Sequence, residues 1–116
     1  GCGLVDAEVA GVTNDFGISM GRGRLMFGIG KPDRTITSSQ AYNDGKWHSV
    51  FATRHLASGR FELFVDQVQV DSQVGGQQSL TAPRYIDIGR IQTGTRYFQG
   101  RIRNVCVYSG VLMSPA

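Results

Sequence analysis

Several residue types are nearly missing from this chain of 116 residues, and each shortage removes a class of function. There are two cysteines, Cys2 and Cys106, and two histidines, His48 and His55. No Cys-x-x-Cys pair occurs and no cysteine lies near a histidine, so there is no zinc signature. The two glutamates, Glu8 and Glu62, leave few carboxylate pairs of the kind that glycoside hydrolysis requires. No Ser-His-Asp elbow or phosphate-cradling glycine loop is present. No run approaches the roughly 20 apolar residues needed to cross a bilayer as a helix, so no membrane span is expected. Neither an initiator methionine nor a secretory-signal pattern opens the chain, which therefore reads as a processed product, an expressed fragment or a piece of something longer.

What is present is β-strand and turn chemistry. The length suits a single domain over residues 1–116 with a modest core, and the sixteen glycines imply many turns. Short segments such as "GLVDAEV", "DFGISM", "RLMFGIG" and "RTITS" are separated by Gly, Asn-Asp or Lys-Pro-Asp. "KWHSVFATRH" and "RFELFVD", joined by "LASG", predict a hairpin. The two-residue period puts Phe61, Leu63 and Val65 on one face, with Glu62, Phe64 and Asp66 on the other. "VQVDSQV" alternates Val68 and Val70 against Gln69 and Asp71. "YIDIGRI" places Ile86 and Ile88 inward, and "RIRNVCVYSG" reads as a final strand with Val105 and Val107 sharing a face. Many short strands at this spacing predict an all-β, antiparallel sandwich.

The formal charge is +3, and ten of the twelve basic residues are arginine. Arg84, Arg90, Arg96, Arg101 and Arg103 fall late in the chain. Guanidinium groups pair bidentately with carboxylate, sulfate and phosphate, so this group could bind a polyanion; solvated strand-face charges would look the same. The two cysteines could close most of the chain in one disulfide, stabilising it by roughly 4 to 5 kcal/mol, or remain as two buried free thiols.

The ordered series "NDFGISM", "GRLMFGIG", "NDGKWHSVFATR", "FELFVDQVQV", "YIDIGR" and "FQGRIRNVCVYSGVLM" resembles the laminin G-like, concanavalin A-like jelly-roll domains across nearly the whole chain. In that pattern a Gly-Lys-Trp-His strand precedes a Leu-aromatic-Val-Asp-Gly hairpin. Three departures stand out. Asp66-Gln67 replaces the usual Asp-Gly; in a type I′ turn Gln67 must adopt positive φ, costing roughly 1 kcal/mol. Arg103-Asn104 stands where acidic residues are common. Nothing like the family's early "F-S-I-S-A-W" strand precedes "GLVDAEV", so the sandwich is expected to be incomplete on its N-terminal side. A fragment completed by another chain, a strand-swapped homo-oligomer and a reduced version of the fold all remain open.

The resemblance implies a non-catalytic extracellular or cell-surface module that binds glycans or protein partners, as an accessory domain of a larger protein. The alternative is a structural subunit completed by strand exchange. A divergent carbohydrate-active enzyme would have to use Asp6 and Glu8, two apart on one strand face. It also implies that Trp47 packs inside as a structural anchor beside the Gly45 turn, so that Trp47→Ala should cost roughly 3 to 5 kcal/mol. Ligand contacts then fall to Tyr85, Arg90, Arg96, Tyr97, Arg101 and Arg103. His48 reads as a structural hydrogen-bond donor. No cofactor is expected; calcium is the metal that similar domains bind, and Asp15 and Asp44 are the best-placed ligands, although Asp and Asn also make turns unaided. "RYFQGRIR" only superficially resembles a nucleic-acid stripe, and no nucleic-acid partner is expected.

Overall fold

The computed structural model describes residues 2–9, 11, 14–30, 32–81, 85–91 and 96–110. Its strands are β1 (Cys2–Ala7), β2 (Phe16–Gly21), β3 (Arg24–Ile29), β4 (Arg34–Thr37), β5 (Val50–Arg54), β6 (Arg60–Val65), β7 (Val68–Val74) and β8 (Asp87–Ile88). They form two antiparallel sheets, a five-stranded one in the order β4-β3-β2-β1-β8 and a three-stranded one in the order β5-β6-β7. No helix occurs among the described residues, and the chain is a β-sandwich.

The core follows from alternation on the two central strands. Leu25, Phe27 and Ile29 of β3 face Phe61, Leu63 and Val65 of β6, with Ile36 of β4 beside them, and all are buried. The Phe27 and Phe61 rings meet edge to face at 5.8 Å. Behind this cluster the hydroxyl of buried Ser38 accepts the Leu25 N–H (3.0 Å) and donates to the Gln40 carbonyl (2.8 Å).

Tight turns set the registers. Arg22 and Gly23 (φ 53° and 78°) join β2 to β3, and the Asn43 side chain lies so close to Gly23 that a Cβ there would have to displace it. The Tyr42 N–H also donates to the Gly23 carbonyl (2.7 Å), docking the 42–45 segment on this turn. Between β6 and β7, Asp66 and Gln67 both have positive φ (50° and 69°), the type I′ pattern in which Gln67 is forced left-handed.

The two long edges of the sandwich differ. On one side β4 and β7 are tied together, because the Asp71 carboxylate accepts the Thr37 N–H (3.1 Å). On the other side β5 is the last strand of its sheet, and Leu4, Phe16, Ile18 and Met20 of the facing sheet are only half-buried. This open side positions the candidate site.

Four expectations need correction. The segment 101–109 forms no strand, because Asn104 adopts φ 54° and breaks the alternation; Val107 is exposed. Ile86 and Ile88 are exposed as well, since β8 is a two-residue edge strand. Glu8 lies beyond the end of β1, and the carboxylate of Asp6, itself 4% exposed, accepts the Glu8 N–H (3.2 Å), so the two acids do not share a strand face. The cysteines are not bonded; Cys2 is half-buried and Cys106 is exposed, so the pair is neither a disulfide nor two buried thiols.

Candidate functional site

Trp47 was expected in the core, yet it is 52% exposed. The reason is local. The Asp44 carboxylate accepts the Lys46 N–H (3.0 Å) and the Asp66 carboxylate accepts the Ser49 N–H (3.0 Å), so side chains take backbone donors that a strand would use. The ladder therefore starts at Val50 and leaves Trp47 ahead of it. Arg103 covers the Trp47 ring at 4.4 Å from the centroid, a cation–π arrangement.

His48 holds this segment in place. Its Nδ1 lies 2.7 Å from Asp66 Oδ2 and its Nε2 lies 2.8 Å from Asp44 Oδ1. Only the imidazolium can donate from both nitrogens at once. The bond to Asp66, then that to Asp44, raises the His48 pKa above 6.5, while the His48 bond holds both aspartates below 3.8. The Tyr42 ring packs edge-on against the imidazole at 5.0 Å. His48 is thus a brace between two turns. His55 is occupied separately, with Nδ1 3.0 Å from Ser58 Oγ.

The brace sits beside an open cleft of about 1140 Å³. Leu4, Phe16 and Ile18 form one wall; Trp47, Val50 and Ala52 form the other; residues from Phe98 to Gly110 close the third side. Lys46, Arg54, Arg101 and Arg103 line it, along with His48, whose charge is matched by Asp44 and Asp66, and no described carboxylate lines it. Arg54 is anchored: its Nη2 donates to the carbonyls of Gly76 (2.7 Å) and Gln78 (2.6 Å), while its buried Nε has no partner. Burial lowers its pKa. An apolar trough with cations and no counter-charge suits an anionic ligand having an apolar side.

The six residues expected to touch ligand do not meet in one place. Arg101 and Arg103 enter the cleft. Arg96 and Tyr97 line a separate shallow depression with Arg22 and Met20. Arg90 forms an isolated bridge to Tyr97 and an ion pair with Asp87 (2.7 Å), whose bond raises the Arg90 pKa further. Tyr85 is exposed and lines neither space. Arg84 falls outside the described residues. Lys46 and Arg54 were missed; the two-residue period through Val50 and Ala52 already put Arg54 in phase with the inward positions.

Asp15 and Asp44 are engaged by the protein itself. Asp15 accepts the Val9 N–H (3.1 Å), and Asp44 serves Lys46 and His48. Among the described residues no group of three or more His, Cys, Asp or Glu side chains is placed to hold a metal ion. Among the described residues no helix is long and apolar enough to cross a membrane.

Two packed antiparallel sheets form a β-sandwich with an open, cation-lined side. The laminin G family model described as the concanavalin A-like lectin/glucanases superfamily matches residues 4–115, and the chain belongs to that family. It is also similar to laminin subunit alpha-4 of Mus musculus, 33% identical over 106 residues. That match covers 85% of this chain but 6% of the laminin subunit, so the chain spans a small part of the relative's length. No solved structure matches it significantly.

Proposed function

We propose that this domain is a non-catalytic extracellular binding or adhesion module, an accessory part of a larger protein, which takes an anionic glycan or protein ligand in the cleft between β5 and the 98–110 segment. The observation that carries this reading is the lining of Lys46, Arg54, Arg101 and Arg103 with no described carboxylate among them. Membership of a family whose domains are commonly binding modules in extracellular proteins supports it. Trp47, half-exposed and held by Arg103, supplies a flat apolar surface beside the charges. A catalytic alternative is disfavoured by Asp6, whose buried carboxylate is engaged by a backbone amide.

The test is binding to an immobilised sulfated polysaccharide at rising salt. Exposed cations release counterions on binding, so retention should weaken steeply with salt. The double variant Arg101→Ala/Arg103→Ala should lose most retention, whereas Arg90→Ala, which is paired with Asp87 and does not line the cleft, should keep it. Absence of binding to any anionic glycan or acidic protein at low salt would refute the proposal.

A further inference from the structure

Asp44-Gly45 is the sole place in the chain where an aspartate or asparagine precedes glycine. At such a pair the glycine amide nitrogen can attack the side-chain carboxyl carbon, because glycine leaves that nitrogen unhindered and its backbone free to rotate. The nitrogen gives up its proton, the N–Cγ bond forms, and a carboxyl oxygen leaves as water, closing a cyclic succinimide. Water then opens the ring. Opening at Cγ restores aspartate. Opening at the main-chain carbonyl leaves isoaspartate, in which the chain runs through Cβ and Cγ. Nothing is oxidised or reduced, and the mass is unchanged.

The structure exposes this pair and also restrains it. Residues 43–47 are all exposed, and Gly45 sits at φ 77° with open space where a Cβ would stand. The carboxylate, by contrast, is tied. Asp44 Oδ1 accepts the Lys46 N–H (3.0 Å) and lies 2.8 Å from His48 Nε2. Both bonds aim the carboxyl at residues beyond Gly45, so ring closure must break them to turn Cγ onto the Gly45 nitrogen. The His48 bond, then the Lys46 amide, also hold the Asp44 pKa below 3.8, and the ionised carboxylate is the poorer electrophile. Asp66 grips the other nitrogen of His48 (2.7 Å), and the Tyr42 N–H, donating to the Gly23 carbonyl (2.7 Å), fixes the chain on the near side.

We propose that Asp44-Gly45 is a site of spontaneous aspartate isomerisation that His48 holds latched. The reaction lengthens the main chain and leaves the free carboxylate directly on Cα, short of its former reach. His48 Nε2 and the Lys46 N–H then lose the acceptor they share, and the brace cannot re-form. Trp47 lies between those two residues, so isomerisation is a one-way release of the segment that carries it.

The test is slow incubation of the protein at about pH 6, below the raised His48 value. Isoaspartate is counted by enzymatic methylation and assigned to Asp44 by peptide mass spectrometry. Folded wild type is compared with urea-unfolded wild type, His48→Ala and Trp47→Ala, the last destabilised without loss of the brace. Unfolded protein should isomerise fastest and folded wild type slowest. His48→Ala, still folded by circular dichroism, should exceed folded wild type by about threefold or more, the scale of an exposed charged pair. Trp47→Ala should stay with the wild type. If His48→Ala does not fold, Asp66→Asn, which loosens the grip on His48 Nδ1 and leaves Asp44 intact, should show the same acceleration. Equal rates in folded and unfolded wild type, or in His48→Ala and wild type, overturn the latch. Acceleration in Trp47→Ala as large as in His48→Ala assigns the effect to general loosening and also overturns it. No isoaspartate at Asp44 even in unfolded protein removes the site altogether.

Discussion

The turn between β6 and β7 offers a sharp test of how this sequence meets its fold. Asp66 and Gln67 sit at φ 50° and 69°, a region where an L-residue costs roughly 1–2 kcal/mol. Glycine removes that cost but loses about 0.5–1 kcal/mol of extra chain entropy on folding. Gln67→Gly should therefore stabilise the domain by roughly 0.5–1 kcal/mol, raising the melting temperature by about 2–4 °C for a domain of this size. The neighbouring residue behaves differently. Asp66 has the same backbone problem, but its carboxylate accepts from His48 Nδ1 (2.7 Å) and from the Ser49 N–H (3.0 Å). Asp66→Gly relieves strain and breaks both bonds, so it should lower the melting temperature. Gln67→Ala keeps the positive φ and should not gain. The assay is thermal and urea unfolding of the three variants beside the wild type. If Gln67→Ala stabilises as much as Gln67→Gly, the gain does not come from backbone conformation and the reasoning fails.

Two further outcomes follow from the segment before β5. His48 has a pKa raised above 6.5 by its bonds to Asp66 and Asp44, so its stabilising effect is complete below about pH 6.5 and is lost as pH rises through the folded value; both aspartates are held below 3.8, so their share is lost only as pH falls below that value. Urea midpoints should fall from pH 6 to pH 9 in the wild type and stay flatter in His48→Gln; parallel profiles would count against the brace. Trp47 is 52% exposed and so buries roughly half of a side chain that can hide up to about 250 Å². At ~25 cal/mol per Å², reduced for a compact unfolded state, Trp47→Ala should cost about 2 kcal/mol and leave a folded domain by circular dichroism. Loss of cooperative unfolding in that variant would return Trp47 to the core.

Much of the fold is local and was legible from residues alone. Phe61, Leu63 and Val65 alternate with polar or outward positions over a short run, and the structure buries all three. The same logic found β2, β3 and β4, and it identified Asp66-Gln67 as a turn demanding positive φ. It failed where one residue changes the local rule. Asn104 at φ 54° ends an alternation that "RIRNVCVYSG" otherwise displays, and asparagine tolerates that conformation without announcing it. The resemblance, in turn, misplaced Trp47 in the core, because Asp44 and Asp66 capture the backbone donors of Lys46 and Ser49 before the ladder begins.

The division has a physical basis. A two-residue period fixes which side chains share a face of a strand, because pleating is a property of consecutive residues. From that came the strands and the central core; membership of the family rests instead on the resemblance of the ordered motifs and the family match over residues 4–115. The period carries no information about which edge of a sheet another element covers. That choice depends on packing between segments distant in the chain, and here it closes the β4–β7 side through Thr37 and Asp71, while among the described residues β5 is the last strand of its sheet. Only the tertiary structure could therefore place Lys46 and Arg54 in one cleft with Arg101 and Arg103, set Arg103 on Trp47, and hold His48 between Asp44 and Asp66.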